Sequence, residues 1–155
     1  MKQPHEFTGQ CQCGHVHYSV TGQALTLFAC HCLDCQRQSG SAFGMAFWIK
    51  VDELTLSKGK TKSWKRKMSD GKHMHCQFCP ECGCRLFHQI EGQEHILSIK
   101  PGTLDHHLHL PIAAHIWTNR AWVEPDPDSL HYPFNPDNFD DMSEAWQALL
   151  KQARS

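Results

Sequence analysis

The chain has 155 residues, 15 Lys and Arg against 16 Asp and Glu, and a net charge of −1 with histidine neutral. That near balance excludes a generally basic binder of nucleic acid or of an acidic membrane surface, so any partner has to be recognised locally. The length suits one core, and nine cysteines, an odd number, argue against a complete disulfide framework and for metal binding.

The first ten residues are polar, without the apolar centre of a secretory signal, and the longest charge-free apolar run, residues 42–49, is too short to span a bilayer. A cytoplasmic address with no membrane partner is the expectation. Val16, Tyr18 and Val20 alternate with polar residues, while Phe43, Met45, Phe47 and Ile49, like Ile96, Leu97 and Ile99, belong to clusters of apolar residues. These read as strands. Turn signals separate them at Gly22, Gly40, Gly59, Gly71, Gly92 and Gly102, a spacing that suits hairpins and meanders. The expected fold is therefore mainly β, built of short antiparallel strands.

Towards the end, Glu124-Pro125-Asp126-Pro127-Asp128 reads as a stiff connector, because a residue before proline is pushed to extended backbone. Asp141-Met142-Ser143-Glu144 has the form of a capping box, and Met142, Ala145, Trp146, Leu149, Leu150 and Ala153 follow at helical spacing. One C-terminal amphipathic helix is expected, its apolar stripe docked on the sheet.

The cysteines fall into three groups. Cys11 and Cys13 lie just before the first strand-like run, and in extended backbone residues two apart share a face, so both thiolates reach one ion. Cys79-Pro80-Glu81-Cys82-Gly83 offers a tight turn with a glycine able to adopt the left-handed conformation. Four thiolates of this kind make the usual closed structural zinc site, whose binding energy contributes to folding. Cys30-His31-Cys32-Leu33-Asp34-Cys35 brings three sulfurs together from a single turn. Three protein ligands and an open position characterise a catalytic zinc, whereas a fourth ligand from Cys76, Cys84 or a histidine would close the site. His31 is not counted as a ligand, since its ring points away from the flanking sulfurs in an extended C-H-C, and Cys76 and Cys84 are read as spare thiols.

A zinc bound by three thiolates is a weak Lewis acid toward water but lowers the pKa of an incoming thiol, which favours thiol chemistry over hydrolysis. The order G-x-C-x-C-G from Gly9, C-H-C-x-x-C from Cys30 followed by Ser39-Gly40-Ser41, and F-C-x-x-C-G from Phe78 resembles the glutathione-dependent formaldehyde-activating enzyme family, which also includes the centromere protein V domain. The resemblance covers about residues 5 to 135 and extends to His115-Ile116-Trp117 and Ala121-Trp122-Val123, which are similar to the family's C-terminal strands. It implies one domain over residues 1–155 with an extension from about 136, a β-tent fold, and two zinc ions. A structural zinc would sit on Cys11, Cys13, Cys79 and Cys82, and a catalytic zinc on Cys30, Cys32 and Cys35. The implied reaction is that of a carbon–sulfur lyase, joining a small thiol such as glutathione to formaldehyde or another small aldehyde, or releasing it.

Glutathione carries two carboxylates, so cations should lie near such a site, and Arg37 is the nearest in sequence. The run Lys58, Lys60, Lys62, Lys65, Arg66 and Lys67 alternates with Ser and Thr around Trp64 and reads as the wet face of a hairpin, with no nucleic acid expected. Asp34 would either relay a proton or accept backbone hydrogen bonds. Two other readings remain open on the residues alone: a non-catalytic zinc scaffold for a protein or nucleic-acid partner, and a redox module of Cys76, Cys79, Cys82 and Cys84.

Overall fold

A computed structural model describes residues 6–106 and 110–153, which fall into two compact units, residues 25–47 with 110–153 and residues 6–24 with 48–106. In chain order the elements are β1 (Glu6–Gln10), β2 (His17–Thr21), β3 (Thr26–Cys30), α1 (Leu33–Ser39), β4 (Gly44–Lys50), β5 (Leu54–Lys58) and β6 (Lys62–Lys67). They continue with β7 (His73–Phe78), β8 (Arg85–Ile90), β9 (Ile96–Ile99), β10 (Ala114–Ile116), β11 (Leu130–His131) and α2 (Asp140–Gln152). The described chain is thus mainly β with a C-terminal helix.

In the unit of residues 6–24 and 48–106, β1, β2 and β5 form an antiparallel sheet in that order. Alternation in β2 buries Tyr18 and Val20 while His17 and Ser19 stay partly exposed, the pattern of a half-buried strand. A second antiparallel array runs β9-β8-β7-β6. Its Phe87 meets the edge of the Tyr18 ring at a centroid distance of 5.1 Å, an arrangement aromatic pairs favour.

In the unit of residues 25–47 and 110–153, β3 buries four consecutive side chains, Thr26 to Ala29. It pairs with β10, and β10 with β11, in parallel, which corrects the expectation of antiparallel strands throughout. Parallel neighbours need long connections, and short-range alternation carries no sign of them. The amphipathic helix α2 packs on β3: Thr26 Oγ1 donates to the Met142 carbonyl at 3.1 Å, and Trp146, fully buried, meets Phe47 edge-on at 6.0 Å. Trp146 Nε1 donates to the Pro111 carbonyl at 3.0 Å, so the indole is buried with its polar atom satisfied. The helix begins at Asp140 with Phe139 at its N-cap and no side-chain cap, so the capping box at Asp141 is not used. Asn138 Oδ1 instead accepts from the Asp140 N–H at 2.8 Å. Residues 121–123 form no strand, against the expectation for Ala121-Trp122-Val123. No helix among the described residues is long and apolar enough to cross a membrane.

Candidate metal centres

Cys11, Cys13, Cys79 and Cys82 bring their four Sγ atoms within 4.8 Å of one another. Cys11 Sγ lies 3.7 Å from Cys13 Sγ, which lies 3.8 Å from Cys79 Sγ. The first pair comes from a turn between β1 and β2, not from extended backbone as the spacing suggested. Gly14 closes that turn with φ 78°, its N–H donating to the Cys11 carbonyl at 3.2 Å, while Lys58 Nζ donates to the Gly14 carbonyl at 3.2 Å. The second pair comes from the β7–β8 connection, where Gly83 takes φ 75° and its N–H reaches the Cys79 carbonyl at 2.9 Å. A side chain at such φ is strained, so both turns favour glycine. Backbone N–H groups of Val16 and Glu81 point at Cys11 Sγ and Cys79 Sγ, at 3.2 and 3.4 Å.

These contacts divide the protons unevenly. Burial opposes the Cys11 thiolate, but the Val16 N–H and the Cys79 and Cys13 thiols hold its pKa below the usual value. The Cys84 N–H is the main cause that brings Cys82 down to about 6. For Cys13 the His15 N–H favours the thiolate, yet burial and the neighbouring sulfurs push the group up to about 12. Four sulfurs this close cannot all ionise without a cation among them, which is the electrostatic demand a divalent ion meets.

The second group is Cys30, Cys32 and Cys35, also within 4.8 Å of one another. Cys30 ends β3, Cys32 is the N-cap of α1, and Cys35 lies in its first turn. Where the cysteine spacing predicts a single turn, the chain forms a helix of seven residues. The short helix places the Cys35 N–H 3.4 Å from Cys32 Sγ and stops at Gly40, φ 63°. Hydrogen bonds from the Cys30 and Cys35 thiols bring Cys32 down to about 2 against burial, and Cys30 is pushed far up by Cys32 and Cys35, with burial adding to it. Among the described residues no fourth His, Cys, Asp or Glu ligand atom joins the group. Cys76, buried in β7, and Cys84 stand in neither group.

His31, between two of these cysteines, turns its ring onto Phe43 and donates or accepts at His115, with Nε2 2.9 Å from Nδ1. Burial lowers the pKa of both rings, His115 to about 4. Gln36 Nε2 donates to the His31 carbonyl at 2.8 Å and to the Arg120 carbonyl at 3.0 Å, tying the cysteine segment to the turn after β10. That turn opens at Trp117, the one non-glycine residue of positive φ (56°) among those described. Neither His115 nor Gln36 was legible as part of the site. Each acts through contacts across 84 positions, and no local pattern encodes them.

Residues 6–120 match the family described as glutathione-dependent formaldehyde-activating enzyme, about three quarters of the chain, and the protein belongs to that family. The match takes in all seven cysteines of the two groups. No curated protein matches the chain. A crystal structure of a Rhodobacter sphaeroides protein, a structural genomics target, shares the fold with a TM-score of 0.52 and 18% identity over 81% of this chain and 98% of that one.

Proposed function

We propose that the protein is a zinc-dependent carbon–sulfur lyase that forms or cleaves the adduct of a small thiol with formaldehyde or a related aldehyde, glutathione being the thiol its family description names. The observation that carries this reading is the set of three sulfurs on Cys30, Cys32 and Cys35, to which no fourth ligand is added among the described residues. Zinc suits both groups because all-thiolate donors select a soft or borderline ion. A tetrahedral site with zinc–sulfur bonds of about 2.3 Å spaces its sulfurs about 3.8 Å apart, and the measured separations in the four-cysteine group are 3.7 and 3.8 Å. That group is assigned the structural role and the fold class a β-tent.

When bound at Cys30, Cys32 and Cys35, zinc supplies a position that lowers the pKa of an incoming thiol. The protein's own groups keep that position in shape. The Cys35 N–H supports the Cys32 thiolate, and Gln36 and His31 fix the backbone on either side of it. Arg37, in the last turn of α1, is the cation nearest in sequence to attract a carboxylate of the thiol substrate. In the reaction a carbon–sulfur bond forms, the carbonyl π bond breaks, and the thiol proton ends on the former carbonyl oxygen. No oxidant or reductant is consumed.

The test combines metal analysis by mass spectrometry with turnover of formaldehyde and several thiols. Two zinc ions per chain with thiol-dependent turnover support the assignment. One tightly held zinc and no turnover with any thiol would reduce the protein to a zinc scaffold.

A further inference from the structure

The β9-β8-β7-β6 array carries an unusual row of side chains. Trp64, Cys76, His88 and Ser98 stand directly opposite one another across four antiparallel strands, so all four share one face. Arg66 lies two residues along β6 from Trp64 and so on the same face, where its guanidinium reaches Met74 Sδ at 3.8 Å. Lys100 follows Ser98 by two residues in extended backbone, with its N–H on the Leu86 carbonyl at 2.9 Å.

Arg85 joins them through an irregularity. Simple alternation would send residues 85 and 88 to opposite faces, but the register shifts between Gln77 and Phe78, leaving Arg85 opposite Phe78. A bulge of this kind re-aims a side chain. The result is a guanidinium 5.9 Å over the Trp64 ring, with Nη1 2.8 Å from His88 Nε2. Arginine only donates, so His88 accepts, and its ring is neutral with the proton on Nδ1. Burial first, then Lys100, Arg85 and Arg66, lower the His88 pKa to about 2. The same three cations act on Cys76.

We infer that Arg85, held by His88 and Trp64 and flanked by Arg66 and Lys100, forms a binding site for an oxyanion, either a carboxylate or a phosphate group of a small ligand. A guanidinium placed over an aromatic ring and held by a hydrogen bond has less to lose in orientation when it meets a planar or tetrahedral oxyanion. Its remaining N–H groups match such a ligand in paired fashion. The chain as a whole is slightly acidic, at −1, so this face is a local departure and not the spill of a basic protein. A wet hairpin face accounts for Lys65 and Lys67, which point to the opposite face, but not for the bulge that brings Arg85 in.

The site is independent of the thiol–aldehyde reading and is tested without turnover. Calorimetric titration of the zinc-loaded protein with inorganic phosphate and with succinate, at constant ionic strength maintained by chloride, should show one saturable site per chain. Preference for one anion assigns the ligand to the phosphoryl or the carboxylate class. Arg85→Gln and Lys100→Gln should each weaken binding about tenfold, the loss expected for one charge-assisted hydrogen bond, while Lys65→Gln leaves it unchanged. Lys100→Gln serves if Arg85→Gln proves unstable. No saturable binding of either anion, or an equal loss in Lys65→Gln, would overturn the site.

Discussion

His31 Nε2 and His115 Nδ1 lie 2.9 Å apart within rings that are 0% and 4% exposed, and the outer nitrogen of each ring, His31 Nδ1 and His115 Nε2, has no partner among the described residues. Whichever ring donates, one N–H and one lone pair are left over at the two ends of the pair. The hydrogen bond between them therefore offsets part of the cost of burying two imidazoles. His115→Leu should destabilise by about 1–3 kcal/mol, since it strands a second nitrogen of His31. The double variant His31→Leu/His115→Leu should cost less than the sum of the single ones, because it removes both ends of the pair. Urea melts of the four proteins measure this, and strict additivity would show that the contact contributes nothing.

Trp146 ties α2 to its unit by ring packing on Phe47 and by the bond to the Pro111 carbonyl. Trp146→Ala removes a fully buried indole and leaves that carbonyl without its donor. A loss of about 3–5 kcal/mol is expected, on the order of 10 °C in melting temperature for a chain of this size. Trp146→Phe keeps most of the packing and should lose well under half as much. A thermal melt unchanged in Trp146→Ala would mean that α2 docks weakly.

The sequence carried some of these features and concealed others for definable reasons. The buried positions of β2 and β9 follow from side-chain alternation and apolar clustering, and the apolar stripe of α2 from its 3.6-residue period, because each pattern lies within a few residues. The sulfur groups were legible because cysteines at metal-ligand spacing are rare outside such sites. Helix α1 was not, since its seven residues bury no side chain and so show no amphipathic period. The parallel pairing of β3 with β10 joins segments more than eighty residues apart, as does the His31–His115 contact. The bulge at Arg85 is likewise a matter of register, which alternation alone cannot supply.

His88 gives the protein a specific acid sensitivity. Its pKa is lowered to about 2, by burial and then by Lys100, Arg85 and Arg66, against about 6.5 in an unfolded chain. The unfolded state therefore takes up the proton first as pH falls. The stability linked to a neutral His88 is complete above about pH 6.5 and declines steadily below it. Denaturant melts at pH 7 and pH 5 should show a smaller loss in His88→Gln than in the unmodified protein. Equal losses in the two proteins would remove His88 as a cause.

The two cysteine groups should separate under substitution. Cys79 is fully buried, bonded through its N–H to the Cys84 carbonyl at 2.9 Å, and placed where its sulfur lies 3.8 Å from Cys13 Sγ. Cys79→Ser should release one zinc ion and lower stability by several kcal/mol, because a structural zinc contributes folding free energy directly. Cys30, half-buried at the end of β3, belongs to the group with three sulfurs. Cys30→Ser should also release one zinc ion but keep the melting temperature within a few degrees, and it should abolish thiol–aldehyde turnover. Metal content, melting temperature and turnover measured on both variants distinguish the roles. A collapse of stability in Cys30→Ser with full activity in Cys79→Ser would reverse the assignment, making the three-cysteine group the one that holds the fold.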